Sequence, residues 1–90
     1  MEIKWTELAS RDLTAIETYA LENSGNSVQF VLNIIDHAYV LADHPSLGRK
    51  GRRKGTRELV MGKFPYILVY RIKGQIIEIL RVLHTSRKWP

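Results

Sequence analysis

Ninety residues without a cysteine, 44% hydrophobic and 26% charged, fit one small globular domain and exclude disulfides and thiolate metal sites. Fourteen lysines and arginines against nine acids give a net charge of +5, which favours a polyanionic or acidic partner. The apolar runs fall far short of the ~18 residues a membrane span needs, and Met1–Trp5 lacks the order of a signal peptide, so a cytoplasmic protein away from membranes is expected.

Ile3-Lys4-Trp5 reads as a short strand. Thr6 then caps a helix with Glu7 near its positive end, and Leu8, Leu13, Ile16, Tyr19 and Ala20 recur at helical spacing through Glu22. Asn23-Ser24-Gly25-Asn26 stops it, with Gly25 suited to a left-handed helix end. Ser27 caps a second helix, in which Val28, Val31, Leu32, Ile35, Ala38, Leu41 and Ala42 form the expected apolar stripe. Pro45 ends that helix, and the short link between the two predicts an antiparallel hairpin.

From Pro45 to Gly55 the chain has three glycines, five cations and no acid, which predicts a loop with nothing to pack. Short β-like runs follow: Thr56 to Met61, Tyr66 to Lys73 and, after a Gly74-Gln75 turn, Ile76 to Leu83. Apolar residues fall on both faces of the last two runs, so they are expected as central strands covered on each side. The expected fold is α+β: an N-terminal strand, an α-helical hairpin and a three-stranded antiparallel meander, in one domain spanning residues 1–90.

Three segments carry a resemblance. His44-Pro45-Ser46-Leu47-Gly48-Arg49 with Gly55-Thr56-Arg57-Glu58-Leu59-Val60, then Tyr66-Ile67-Leu68-Val69-Tyr70-Arg71-Ile72, then Ile79-Leu80-Arg81-Val82-Leu83-His84 with Arg87, resemble the RelE/ParE superfamily. Ala9, Asp12-Leu13, Ile16 and Tyr19 of the first helix fit the same pattern. The resemblance implies a toxin of a type II toxin–antitoxin pair, neutralised by an antitoxin whose acidic, partly disordered segment folds on binding.

Two activities from different classes follow from it. RelE-like members cleave mRNA in the ribosome, whereas ParE-like members poison DNA gyrase and are not nucleases, so fold alone does not choose. Cleavage needs a general acid or base and cations on the phosphate. Arg57, Arg81 and Arg87 look like the family's functional arginines, and His84 like its acid or base, histidine being the side chain that titrates near neutrality. Arg49, Lys50, Arg52, Arg53 and Lys54 would grip ribosomal RNA without base specificity, and Trp89 would stack on a base.

Each has a plainer reading. His84 is also a strand-end surface residue, Arg57 a partner for Glu58, Glu78 or the C-terminal carboxylate, and Arg71 and Arg81 strand residues whose stems cover apolar surface. The charge run is also a solvated loop. Arg81 and His84 would point to opposite faces unless a bulge lies between them. No tyrosine or carboxylate follows His84, and Glu58 is the nearest acid to the basic loop. No cofactor or metal is expected. Ribosome-dependent mRNA cleavage is the reading these residues favour. Gyrase inhibition is the alternative, and a non-toxic antitoxin-bound DNA-binding complex is the third.

Overall fold

The computed structural model describes residues 1–23, 27–62 and 64–85, apart from the side chain of Ser27. The expected Gly25 stop, the Ser27 cap, Arg87 and Trp89 lie outside the described residues. The order is β1 (Glu2–Trp5), α1 (Glu7–Asn23), α2 (Ser27–Asp43), β2 (Arg49–Lys50), β3 (Arg57–Val60), β4 (Tyr66–Lys73) and β5 (Ile76–His84). Both helices run 17 residues. Thr6 caps α1 as expected, its Oγ1 accepting from the Ala9 amide at 3.3 Å while donating to the Ile79 carbonyl at 2.8 Å. The cap thus ties the first turn of α1 to β5.

The sheet has five strands in the order β1-β5-β4-β3-β2. β3, β4 and β5 form the expected antiparallel meander, turned at Gly74 with φ +61°, a backbone region that glycine adopts without a Cβ clash. Two features depart from the expectation. β1 pairs parallel with β5, from Glu2 opposite Ile76 to Trp5 opposite Ile79, so the sheet is mixed. Parallel neighbours need a long crossover, and here the whole middle of the chain supplies it. The second departure is β2, which lies within the expected loop, Arg49 pairing with Glu58 and Lys50 with Arg57. Two paired residues need no apolar side chain, so no hydrophobic pattern announces them.

The main core lies between the helices and one sheet face, and includes Ile16, Ile34, Leu41, Leu68, Tyr70, Ile77 and Ile79. Burying each such aliphatic side chain contributes roughly 1.5–3 kcal/mol against exposure. The expected helical stripes are met in part: Ile16, Ala20, Ala38 and Leu41 are buried and Leu13 packs against the core. Ala9, Ile16 and Ala20 are buried in α1, whereas Leu8 and Tyr19 are exposed. In α2 the buried residues are Ile34, Ala38 and Leu41, while Val28 is 64% and Leu32 48% exposed. α2 is apolar around much of its circumference, so spacing alone did not set Ile34 apart from Val28 and Leu32.

On the other sheet face Ile67, Val69 and Leu83 form a smaller buried cluster against Leu80. The last two strands are thus buried on both faces, as expected. No described helix is long and apolar enough to cross a membrane.

Candidate functional site

An open groove of about 690 Å³ lies at the end of the sheet where β5 finishes. Asp12, Ile16 and Tyr19 reach it from α1, Phe30 from α2, Tyr66 from β4 and His84 from β5. Tyr66 and His84 are cross-strand partners, and their rings meet edge to face with centroids 5.5 Å apart. His84 is exposed at the rim, whereas Tyr66 is buried. Burial, and secondarily the nearby Tyr19, pushes the Tyr66 phenol above its ordinary pKa, so it holds its proton firmly. The groove is apolar at its floor and polar at its edge.

Asp12 closes one side of it. β1 stops alongside β5 at Ile79, which leaves the rest of β5 with an open edge. Asp12 fills that edge, its Oδ2 accepting from the Val82 amide at 2.9 Å. The same carboxylate takes Arg81 in a two-point pair, Nε to Oδ2 at 2.8 Å and Nη2 to Oδ1 at 3.1 Å. Those hydrogen bonds push the Arg81 guanidinium further up from its already high pKa. A register shift between Val69 and Tyr70 places a bulge at Leu80, ahead of Arg81. From Arg81 to His84 the pairing is regular, so the two occupy alternate faces of the strand.

The other sequence-derived residues gather elsewhere. Arg57 pairs with Tyr70 and His84 with Tyr66, four positions apart on β4 and two strands across. At ~3.3 Å per residue and ~4.8 Å per strand, Arg57 stands on the order of 15 Å from His84. Its guanidinium donates to the Gly48 carbonyl at 2.8 Å and the Ser46 carbonyl at 3.4 Å, pinning the turn between α2 and β2. Tyr70 holds the same turn from beneath, its hydroxyl donating to the Pro45 carbonyl at 2.8 Å and accepting from the Gly48 amide at 2.9 Å. A Cβ at Gly48 would sit 2.7 Å from that hydroxyl, so close approach accounts for glycine here.

Glu58 is buried and structural. Its carboxylate accepts from the Arg52 amide at 3.0 Å and pairs with Arg49 at 3.4 Å. With Gly51 donating to the Thr56 carbonyl and Thr56 to the Arg53 carbonyl, the β2–β3 connection is a hydrogen-bonded hairpin. Lys50, Arg53, Lys54 and Arg57 line a cleft of about 350 Å³ on it.

The expected catalytic set is thus dispersed among the described residues: His84 at the groove, Arg81 on Asp12, and Arg57 at the far end of the sheet. Sequence reading missed Tyr66 and Asp12 beside His84. The cross-strand offset of Tyr66 and the 69-residue reach of Asp12 leave no local pattern. Among the described residues no group of three or more histidine, aspartate or glutamate side chains is placed to hold a metal.

Comparison with known proteins reads the whole arrangement. Residues 3–89 match the model of the ParE toxin of type II toxin–antitoxin systems. The chain belongs to the ParE toxin family. This family member is 42% identical over 89 residues to the toxin-like protein Y4kP of Sinorhizobium fredii, across 98% of this chain and 92% of that one. It is 33% identical over 87 residues to toxin RelE2 of Caulobacter vibrioides, across 96% and 97% of the two chains. Its fold is similar to a chain of the chromosomal ParDE system from P. aeruginosa, with a TM-score of 0.86, 30% identity and coverage of 93% and 95%. It is also similar to a chain of the RelBE2 toxin–antitoxin complex from Mycobacterium tuberculosis, with a TM-score of 0.70, 26% identity and coverage of 92% and 95%.

Proposed function

We propose that this ParE-family toxin acts by binding and poisoning DNA gyrase, and that a cognate antitoxin covers its helical hairpin and groove until it is released. The disposition of the arginines carries this reading. The Arg81 guanidinium is spent on Asp12, and Arg57 on two carbonyls far from His84. Stabilising a phosphorane-like transition state requires cations already aimed at where charge develops. Neither of these is so aimed. A binding toxin needs only a surface, and exposed Leu8, Tyr19, Leu21, Val28, Leu32 and Tyr39 along the helices provide an apolar one. The similarity to a ParDE toxin–antitoxin system supports the antitoxin partner.

The second reading, mRNA cleavage on the ribosome, draws on the meeting of His84, Tyr66 and Asp12 in one groove. Against it, both Asp12 oxygens are occupied by Arg81 and the Val82 amide. Inducing the toxin separates the two. Gyrase poisoning predicts filamented cells, an SOS response and continuing translation, with His84→Gln as toxic as the wild type. Early translational arrest with cut mRNA, abolished by His84→Gln, would establish cleavage instead.

A further inference from the structure

We propose that the exposed β2–β3 hairpin at the edge of the sheet is a binding site for the phosphate backbone of duplex DNA. The inference deepens the gyrase reading, since gyrase works on DNA, and it names a second contact that such a toxin makes. The charge count is the first observation. Arg49, Lys50, Arg52, Arg53 and Lys54 equal the chain's entire excess of +5, because the remaining nine cations match the nine acids. The hairpin therefore holds the molecule's net positive field.

The second observation is that this charge is built in place. The Glu58 carboxylate is buried at 3% exposure and holds the Arg52 amide, and the Thr56 hydroxyl donates to the Arg53 carbonyl at 2.6 Å. Lys50, Arg52, Arg53 and Lys54 are all exposed around that fixed turn. Ordering the backbone in advance removes an entropic cost that a mobile basic loop meets on binding.

The third observation selects the partner. Among the described residues lining the cleft, Ile72 is the sole aliphatic side chain, beside Lys50, Arg53, Lys54 and Arg57. Peptide interfaces draw their energy from buried apolar anchors, which this cleft does not offer. Nucleic-acid backbones are bound by cations releasing counterions, which it does offer. β3 pairs with β4 as well as β2, so the hairpin is a sheet edge, and its exposed Lys50, Arg53 and Lys54 are placed to meet a phosphate backbone rather than base edges. Duplex DNA is the occupant that suits both the charge and the gyrase reading on which this proposal rests.

The test is fluorescence anisotropy with a labelled 20-bp DNA duplex, the RNA duplex of the same sequence and a polyglutamate peptide, over a salt series. The wild-type toxin is expected to bind DNA with a log–log salt slope of about −3 to −4, near 0.9 per phosphate neutralised. Lys50→Gln/Arg53→Gln/Lys54→Gln changes only exposed side chains and leaves Arg57 in place. It is expected to lower the slope by about 2.7 and the affinity at 50 mM salt by at least tenfold. Unchanged DNA binding by this variant, preference for the RNA duplex, or binding of polyglutamate alone would each overturn the proposal. Supercoiling inhibition measured on the same variant keeps the two readings distinct: DNA binding by a toxin inert on gyrase refutes only the gyrase reading.

Discussion

Asp12 and Arg81, 69 residues apart, close the edge that β1 leaves open beside β5. One carboxylate serves as a substitute strand for the Val82 amide and as a two-point partner for the guanidinium. Both side chains are mostly shielded, at 15% and 21% exposure, so the pair holds α1 on the sheet with little screening by water. The two ends of the pair are unequal. Asp12→Ala takes the acceptor from the Val82 amide and the two-point carboxylate from Arg81, and is expected to cost about 2–3 kcal/mol. Arg81→Ala leaves the Asp12–Val82 bond intact and should cost about 1 kcal/mol. Urea midpoints at constant slope measure both, and an equal loss in the two variants would contradict this asymmetry.

The Tyr70 hydroxyl makes the second long-range tie, to Pro45 and Gly48. Burial raises the Tyr70 phenol, against smaller opposing effects of the Gly48 amide and Arg57. A group whose pKa is raised by folding stabilises fully below its unfolded value, here 10.0, and loses that contribution as pH climbs through the folded value. Tyr66 shifts the same way and adds to the effect. Wild-type stability should therefore fall above about pH 10. Tyr70→Phe should be about 1–2 kcal/mol less stable at neutral pH, with a shallower alkaline decline. Thermal melts from pH 7 to 11 give the comparison; parallel declines would sink it.

Gly48 packs under that hydroxyl, and Gly48→Ala forces a methyl group to within 2.7 Å of it. The expected cost is about 1–3 kcal/mol, and it should shrink only in part when combined with Tyr70→Phe, which removes the hydroxyl but leaves the ring Cε1 equally close at 2.7 Å. Full additivity of the two losses would place the strain elsewhere.

Much of this was legible in the chain. The runs Tyr66–Lys73 and Ile76–His84 declare themselves by β-branched and aromatic residues flanking Gly74, and Thr6 declares the start of α1. The parallel pairing of β1 was not, because a four-residue strand carries no mark of its partner or direction. The inward face of α2 was legible only in part: Ala38 and Leu41 are buried as their spacing implies, whereas Val28 and Leu32 satisfy the same spacing and are exposed. At the site, single residues were visible and their relationships were not. Arg57, Arg81 and His84 look like one set in sequence, yet the carbonyls of Ser46 and Gly48 hold Arg57 at one place and Asp12 holds Arg81 at another.

Tyr19 is 63% exposed and reaches the groove from α1. Tyr19→Asp should change stability by no more than about 0.5 kcal/mol, as surface substitutions do, and should weaken the cognate antitoxin at least tenfold. Isothermal titration with the antitoxin checks it; undiminished affinity would move the antitoxin off this groove.

Titrating purified toxin into a gyrase supercoiling reaction on relaxed plasmid tests the central claim most directly. Gyrase poisoning predicts dose-dependent loss of supercoiling with accumulation of cleaved plasmid, undiminished in Arg81→Ala once its fold is verified. Normal supercoiling at saturating toxin, alongside mRNA cut on programmed ribosomes by the same preparation, would contradict it.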